Sequence, residues 1–245
     1  MKIKIGVVGT GKVARQNYVP CLAAAAAVEL GYYSRTGAKA EAIAAEFGGR
    51  VFDSAAALVD WEPDAILILT RETERLEAAS EVLKANPRRL FFEKPLVARH
   101  GQADVREEDF FAARELLQEA AERQCETAMV FNYRFFDQSL RARDLIAARD
   151  FGQVLNITGL VHYACWSHCI DLVHHFGDPI VQLTALQSAQ KRGARVASQS
   201  ARSWRRAPAP REARSRFRCH IPCLGSEVNR HSKKSGKPWW FSSLI

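Results

Sequence analysis

The strongest constraint on the fold lies at the start of the chain. Ile3-Lys4-Ile5-Gly6-Val7-Val8 is a short β-rich run, and Gly9-Thr10-Gly11-Lys12-Val13-Ala14 follows it directly. A helix-like stretch comes next, which Pro20 is expected to interrupt. A strand, a glycine-rich turn and a helix in that order open a doubly wound α/β fold. In such a turn the first glycine permits the tight bend. The second lets the backbone approach a pyrophosphate, whose charge meets the helix N-terminus. Gly9, Thr10, Gly11, Lys12 and Val13 are therefore candidate dinucleotide contacts.

The pattern then alternates. A second strand is predicted over 28–33, and a helix begins near Thr36, a plausible N-cap. Its apolar residues Ala40, Ile43, Ala44 and Phe47 are spaced for one face, and Gly48-Gly49 is a stop. The apolar run over 65–69 suits a strand covered on both faces. Residues 72–85 form an amphipathic helix carrying Leu76, Ala79 and Leu83, and a strand over 90–92 ends in Glu93-Lys94-Pro95. A helix over 107–123 places Phe110, Ala113, Leu117 and Ala120 on one face, and 128–131 is another strand. Strand alternating with helix implies a parallel sheet with helices on both faces.

After about 135 the rhythm changes. A helix over 138–149 capped by Asp137, a longer strand over 153–162, a short helix over 167–176 and a strand over 180–186 suggest an α+β domain. From about 188 the pattern stops. Residues 191–218 hold nine arginines and two Ala-Pro steps without an apolar period. The chain of 245 residues thus reads as α/β: a Rossmann doubly wound parallel sheet over 1–130, an incomplete α+β domain over 131–190 and a basic irregular tail over 191–245. Three readings of the tail stand: a disordered basic segment, a nucleic-acid or membrane-surface arm, and a reading frame shifted near 188–192, of which the last is favoured.

Charge is split in the same place. Residues 1–190 carry 21 Lys and Arg against 25 Asp and Glu, whereas 191–245 carry 14 against 2. The body is mildly acidic, which argues against nucleic acid as its partner. No apolar run is long enough to span a membrane, and no secretory signal is visible. The six cysteines, Cys21, Cys125, Cys165, Cys169, Cys219 and Cys223, read as reduced thiols of a cytoplasmic protein.

Dinucleotide folds selective for NAD(H) place an acidic residue at the end of the second strand. Here the residues are Ser34-Arg35-Thr36. A hydroxyl and a guanidinium suit a 2′-phosphate, so Ser34 and Arg35 favour NADP(H), with NAD(H) as the alternative.

Gly9-Thr10-Gly11-Lys12-Val13-Ala14, Glu93-Lys94-Pro95, Asn132-Tyr133-Arg134-Phe135, and His168-x-x-Asp171 before Phe176-Gly177 occur in order. In this the chain resembles the Gfo/Idh/MocA oxidoreductases over about residues 1–187. The resemblance implies an NAD(P)-dependent oxidoreductase that moves a hydride to or from a sugar, polyol or related small molecule. It places Thr70, Glu93 and Lys94 at the cofactor, with Lys94 beside the nicotinamide and the reacting oxygen. A cation there stabilises a developing alkoxide and can take part in proton transfer. The Lys94–Pro95 bond is a candidate for the cis form. The resemblance makes His168 an acid/base residue, with Asp171 one helical turn away to orient it. It also implies a homo-oligomer built on the second domain's sheet, most of which should follow where this chain ends.

There are three departures from the family pattern, of which the first and last support an alternative. Ala164 stands where the family commonly has an Asp, Thr70-Arg71 replaces Thr-Pro, and the rest of the second domain is missing. The alternative is a dinucleotide-binding protein impaired in catalysis, truncated or acting as a sensor. Cys165, His168 and Cys169 are clustered, and His168, Asp171 and His175 share a helical face, but no double Cys-x-x-Cys spacing occurs, and no metal ligand is assigned.

Overall fold

The computed structural model describes residues 2–177 apart from 103, 153, 160 and 162–164. Its strands, in chain order, are β1 (Ile3–Val8), β2 (Val28–Tyr33), β3 (Arg50–Val51), β4 (Ala65–Ile68), β5 (Arg89–Phe92) and β6 (Glu126–Met129). They form one parallel sheet in the order β3-β2-β1-β4-β5-β6. The chain winds outward from β1 in one direction, then returns beside β1 and winds in the other. The carboxyl ends of β1 and β4 therefore open a crevice at the point of reversal.

Register decides what lines that crevice. Val8 is opposite both Tyr33 and Ile68, and Ile68 is opposite Phe92. The strands end level, so Gly9, Ser34, Leu69 and Glu93 all leave the sheet along one edge. The ladder runs one step further at each. Gly9 N–H donates to Tyr33 O at 3.0 Å, Leu69 N–H to Val8 O at 2.8 Å, and Glu93 N–H to Ile68 O at 3.3 Å.

Helices α1 (Val19–Ala24), α2 (Gly37–Phe47), α3 (Ala55–Asp60), α4 (Arg75–Leu83) and α5 (Glu107–Glu122) cover the sheet. Val8, Ile66, Ile68, Leu90 and Phe92 pack with Leu58 of α3, Ala79, Val82 and Leu83 of α4, and Leu116 and Ala120 of α5 in one core. Side chains alternate along a strand, so Val7 and Tyr32 face the other way, where Val19, Ala40 and Ile43 are also buried. Each fully buried Leu, Ile or Phe contributes about 1.5–3 kcal/mol. Among the described residues no helix is long and apolar enough to cross a membrane.

Several local expectations are corrected. Pro20 does not break the helix: Ala14–Tyr18 forms a π-helical turn that runs into α1, and Pro20 lies in the first turn of α1, where its missing N–H costs little. α4 begins at Arg75, not 72, because 72–74 form a turn. α5 is rotated from its expected face. Asp109, Leu116 and Ala120 are buried, whereas Phe110 is 61% and Leu117 37% exposed. The reason is polar: the Asp109 carboxylate accepts from Arg106 N–H at 3.1 Å and from Arg99 Nε at 2.9 Å, which turns that side of the first helical turn inward. β3 and α3 carry no strong sequence signal. β3 is only two residues long, and α3 is marked by its Ser54 cap, whose Oγ accepts from Ala57 N–H at 3.1 Å.

A second compact unit begins at Phe131. Its described part holds a 3₁₀ turn (Asn132–Phe135) and helices α6 (Asp137–Arg149) and α7 (Trp166–Phe176). Asp137 is the first residue of α6, and Phe136 takes the cap position. The strand expected over 153–162 is not formed at 154–159 or at Val161. A strand exists only as part of a pairing, and none is provided among the described residues. The strand expected over 180–186 and the tail over 191–245 lie outside the described residues.

Candidate functional site

All ten residues expected at a cofactor line one cleft of about 920 Å3 in the first unit: Gly9, Thr10, Gly11, Lys12, Val13, Ser34, Arg35, Thr70, Glu93 and Lys94. The four segments come from the ends of β1, β2, β4 and β5, which the register sets level.

Gly9 has φ +90°, and a Cβ on it would lie 2.7 Å from Thr70 N and 2.9 Å from Thr70 Cα. Only glycine lets these two segments approach so closely across the crevice. Gly11 is the opposite case: a Cβ there would meet nothing within 4 Å. The space is open in front of the first helical residues, Lys12 and Val13, whose N–H groups begin the helix. Thr10 Oγ1 and Thr70 Oγ1 are buried and make no hydrogen bond among the described residues. Room beside a helix N-terminus and two spare hydroxyls fit a bound pyrophosphate.

At the end of β2, the Arg35 side chain is exposed and reaches α4. Its Nη2 lies 3.2 Å from Glu74 Oε1 and its Nη1 lies 4.0 Å from Glu77 Oε2. Tyr33 Oη donates to Glu81 Oε1 at 2.7 Å, and this bond, with burial, pushes the phenol up to about 12.

The Lys94 end is built from residues far apart in sequence. Lys94 N–H donates to Glu93 Oε2 at 2.7 Å, and the Lys94–Pro95 peptide is cis. Tyr18, from the π-helical turn, is hydrogen-bonded to Glu93; burial and that carboxylate both push its phenol above its ordinary value. Arg75, only 2% exposed, donates from Nη2 to Thr70 O at 2.6 Å and from Nη1 to Pro95 O. Burial lowers the guanidinium's pKa, while the nearby Glu93 and Glu72 oppose that. One buried cation thus ties the loop after β4 to the loop after β5. Sequence reasoning missed both Tyr18 and Arg75. The signal for Arg75 was present: it shares a face with Ala79 and Val82, and a charge on an apolar face needs partners.

His168 and Asp171 lie in the second unit, both buried on α7. The His168 ring stacks on Tyr133 at 4.2 Å with 10° between planes, and Phe131 meets its edge at 5.8 Å. The Asp171 carboxylate is gripped by Arg134, with Nε at 2.8 and 2.9 Å from its two oxygens. Asp171 therefore anchors α7 to the 3₁₀ turn that carries Tyr133, and so holds the stack on His168 in place. Tyr133 Oη lies 3.5 Å from Cys165 Sγ. His175, one turn further along α7, is held below its ordinary pKa by burial and by the charge of Arg134.

The structure resembles several solved proteins. One is the 3-ketoreductase KijD10 from Actinomadura kijaniata, at 22% identity and TM-score 0.49, over 65% of this chain and 48% of that one. Another is the UDP-N-acetylglucosamine 3-dehydrogenase GnnA from Acidithiobacillus ferrooxidans, at 25% identity and TM-score 0.49, over 62% and 43%. A third is a candidate myo-inositol dehydrogenase from Sinorhizobium meliloti 1021, at 19% identity and TM-score 0.55, over 71% and 55%; this likeness shows the fold. The chain spans about half the length of these structures. No curated protein matches it. The profile of the Gfo/Idh/MocA family, an oxidoreductase family with an NAD-binding Rossmann fold, matches residues 3–131, more than half of the chain, and the chain belongs to that family.

Proposed function

We propose that the first unit binds NADP(H), in preference to NAD(H), and that the protein is an oxidoreductase for a carbonyl or hydroxyl carbon of a sugar or polyol. One observation carries the reading. The sheet register gathers the glycine turn, Ser34-Arg35, Thr70 and Glu93-Lys94 around a single cleft at the point where the strand order reverses. When bound, the nicotinamide supplies or takes up the hydride. The N–H groups from Gly11 to Val13 and the Thr10 and Thr70 hydroxyls would hold the pyrophosphate. Ser34 and Arg35 would hold the 2′-phosphate. Lys94 would offset negative charge on the reacting oxygen and exchange its proton. Glu93 acts through Lys94, by fixing its backbone N–H. In the second unit, His168 would be the acid/base group that the family resemblance implies, with Asp171 positioning it through Arg134 and Tyr133. The substrate class follows the family, and a cytoplasmic location is part of the same reading.

Titration with NADPH and NADH, followed by assay against a panel of polyols and sugars, tests this. NADPH is expected to bind more tightly, and Arg35→Ala to remove most of a difference of roughly ten- to a hundredfold. Lys94→Ala is expected to lower turnover by about a hundredfold or more, with NADPH affinity kept. Binding without turnover on any panel member would favour the alternative, a dinucleotide-binding protein impaired in catalysis. Absence of binding would overturn the reading altogether.

A further inference from the structure

We propose that Glu74, backed by Glu77, sets how strongly this cleft distinguishes NADP(H) from NAD(H), by competing with the 2′-phosphate for Arg35. The inference rests on the reading of Arg35 as the 2′-phosphate contact and adds the residues that oppose it.

Arg35 follows β2, and Glu74 immediately precedes α4, which follows β4. The two meet because β2 and β4 flank β1 and end level with it. Glu74, Glu77 and Glu81 are spaced i, i+3 and i+7, so they form one acidic face along α4, and all three line the cleft with Arg35. Glu81 is engaged by Tyr33 Oη at 2.7 Å, which fixes this face against the end of β2. Glu74 and Glu77 are left facing the guanidinium, at 3.2 and 4.0 Å.

The usual selector in this fold is one acidic residue at the end of the second strand. Here that position is cationic, and the acid comes from another element. A 2′-phosphate arriving at Arg35 must displace the Glu74 carboxylate. A 2′-hydroxyl carries no charge and makes no such demand. Arg35 therefore favours NADPH, and Glu74 subtracts from that preference. The pair is exposed, with side-chain exposures of 74% and 44%, so the competition is moderate. An ion pair of this kind shifts an equilibrium by up to roughly fivefold.

Dissociation constants for NADPH and NADH, measured by fluorescence titration of the full chain, test the proposal. The variants are Glu74→Gln, Glu74→Gln with Glu77→Gln, Arg35→Ala, and Arg35→Ala with Glu74→Gln. All change exposed side chains. Glu74→Gln should tighten NADPH roughly three- to fivefold and leave NADH unchanged. The double glutamine variant should tighten it further. In the Arg35→Ala background, Glu74→Gln should do nothing. If Glu74→Gln leaves NADPH unchanged while Arg35→Ala weakens it selectively, the proposal falls and the reading of Arg35 stands. Equal tightening with and without Arg35 would show direct repulsion and overturn the competition. If Arg35→Ala leaves NADPH unchanged, the reading of Arg35 fails, and the proposal with it.

Discussion

Two glycines of one turn do different work, and a single methyl group separates them. A Cβ on Gly9 would press on the Thr70 backbone at 2.7 Å in a left-handed conformation, whereas a Cβ on Gly11 meets no protein atom. Gly9→Ala should therefore cost about 1–3 kcal/mol in urea unfolding. Gly11→Ala should unfold like the parent yet bind NADPH at least about tenfold more weakly, because its methyl takes ligand space. Equal effects of the two on stability would contradict this division. Asp109 gives a prediction in pH. Burial would raise its pKa, but the Arg99 guanidinium and the N–H groups of Arg106 and Arg99 hold it below its ordinary value. In the unfolded chain an Asp titrates near pH 3.9. The folded value is lower, so this stability is complete above about pH 4 and is lost as pH falls through the folded value. Asp109→Asn should be less stable than the parent by about 1–2 kcal/mol at neutral pH, and the gap should close in acid. A gap that stays constant from neutral pH into strong acid would contradict the assignment. At this scale the glycine turn and the Ser34-Arg35 pair were legible from residue type alone. The Glu74 contact to Arg35 was not, because it joins two elements 39 residues apart whose meeting depends on register.

At the scale of elements, apolar period predicted the longer elements of the first unit but missed β3 and α3, and it predicted orientation less well. β1 and β2 fall where their sequences place them, since both are short β-rich runs between turns. α5 was assigned a buried face that is right at Ala120 but wrong at Phe110 and Leu117, because these two outweigh Asp109 on any hydrophobic count. The structure lets three hydrogen bonds to Asp109 decide instead. Pro20 was read as a break because the π-helical turn before it has no sequence signature. Arg75 shows the same limit from the functional side. Its place on the apolar face with Ala79 and Val82 calls for partners without naming them, and here they are Thr70 O and Pro95 O. Arg75→Met should leave two loop carbonyls and Glu93 without their cation. A loss of about 3 kcal/mol in stability and a weaker NADPH affinity are expected together. A stable variant that binds as the parent does would show that the Lys94 loop is held by other means.

For the whole molecule, a doubly wound parallel sheet was implied by one glycine turn followed by alternating strands and helices, whereas the strand order, with β3 at its edge, emerges only from the fold. The second unit was less legible. His168 and Asp171 were picked out by resemblance, but the stack on Tyr133 and the grip of Arg134 emerge only from the folded 3₁₀ turn and α7. The first unit, Met1–Val130, holds the entire cleft, so a fragment of residues 1–130 is expected to fold and to bind NADPH as the full chain does. At a hundredfold excess over the dissociation constant, NADPH should stabilise either form by about 2.7 kcal/mol. The most direct test of the central claim, that register builds a dinucleotide cleft at the strand ends, is amide hydrogen exchange of the full chain with and without NADPH. The account predicts added protection at 9–13, 34–36, 70–71 and 93–94, with the amides of β3 and the exposed face of α5 unchanged. Protection confined to other segments, or none at saturating NADPH, would contradict it.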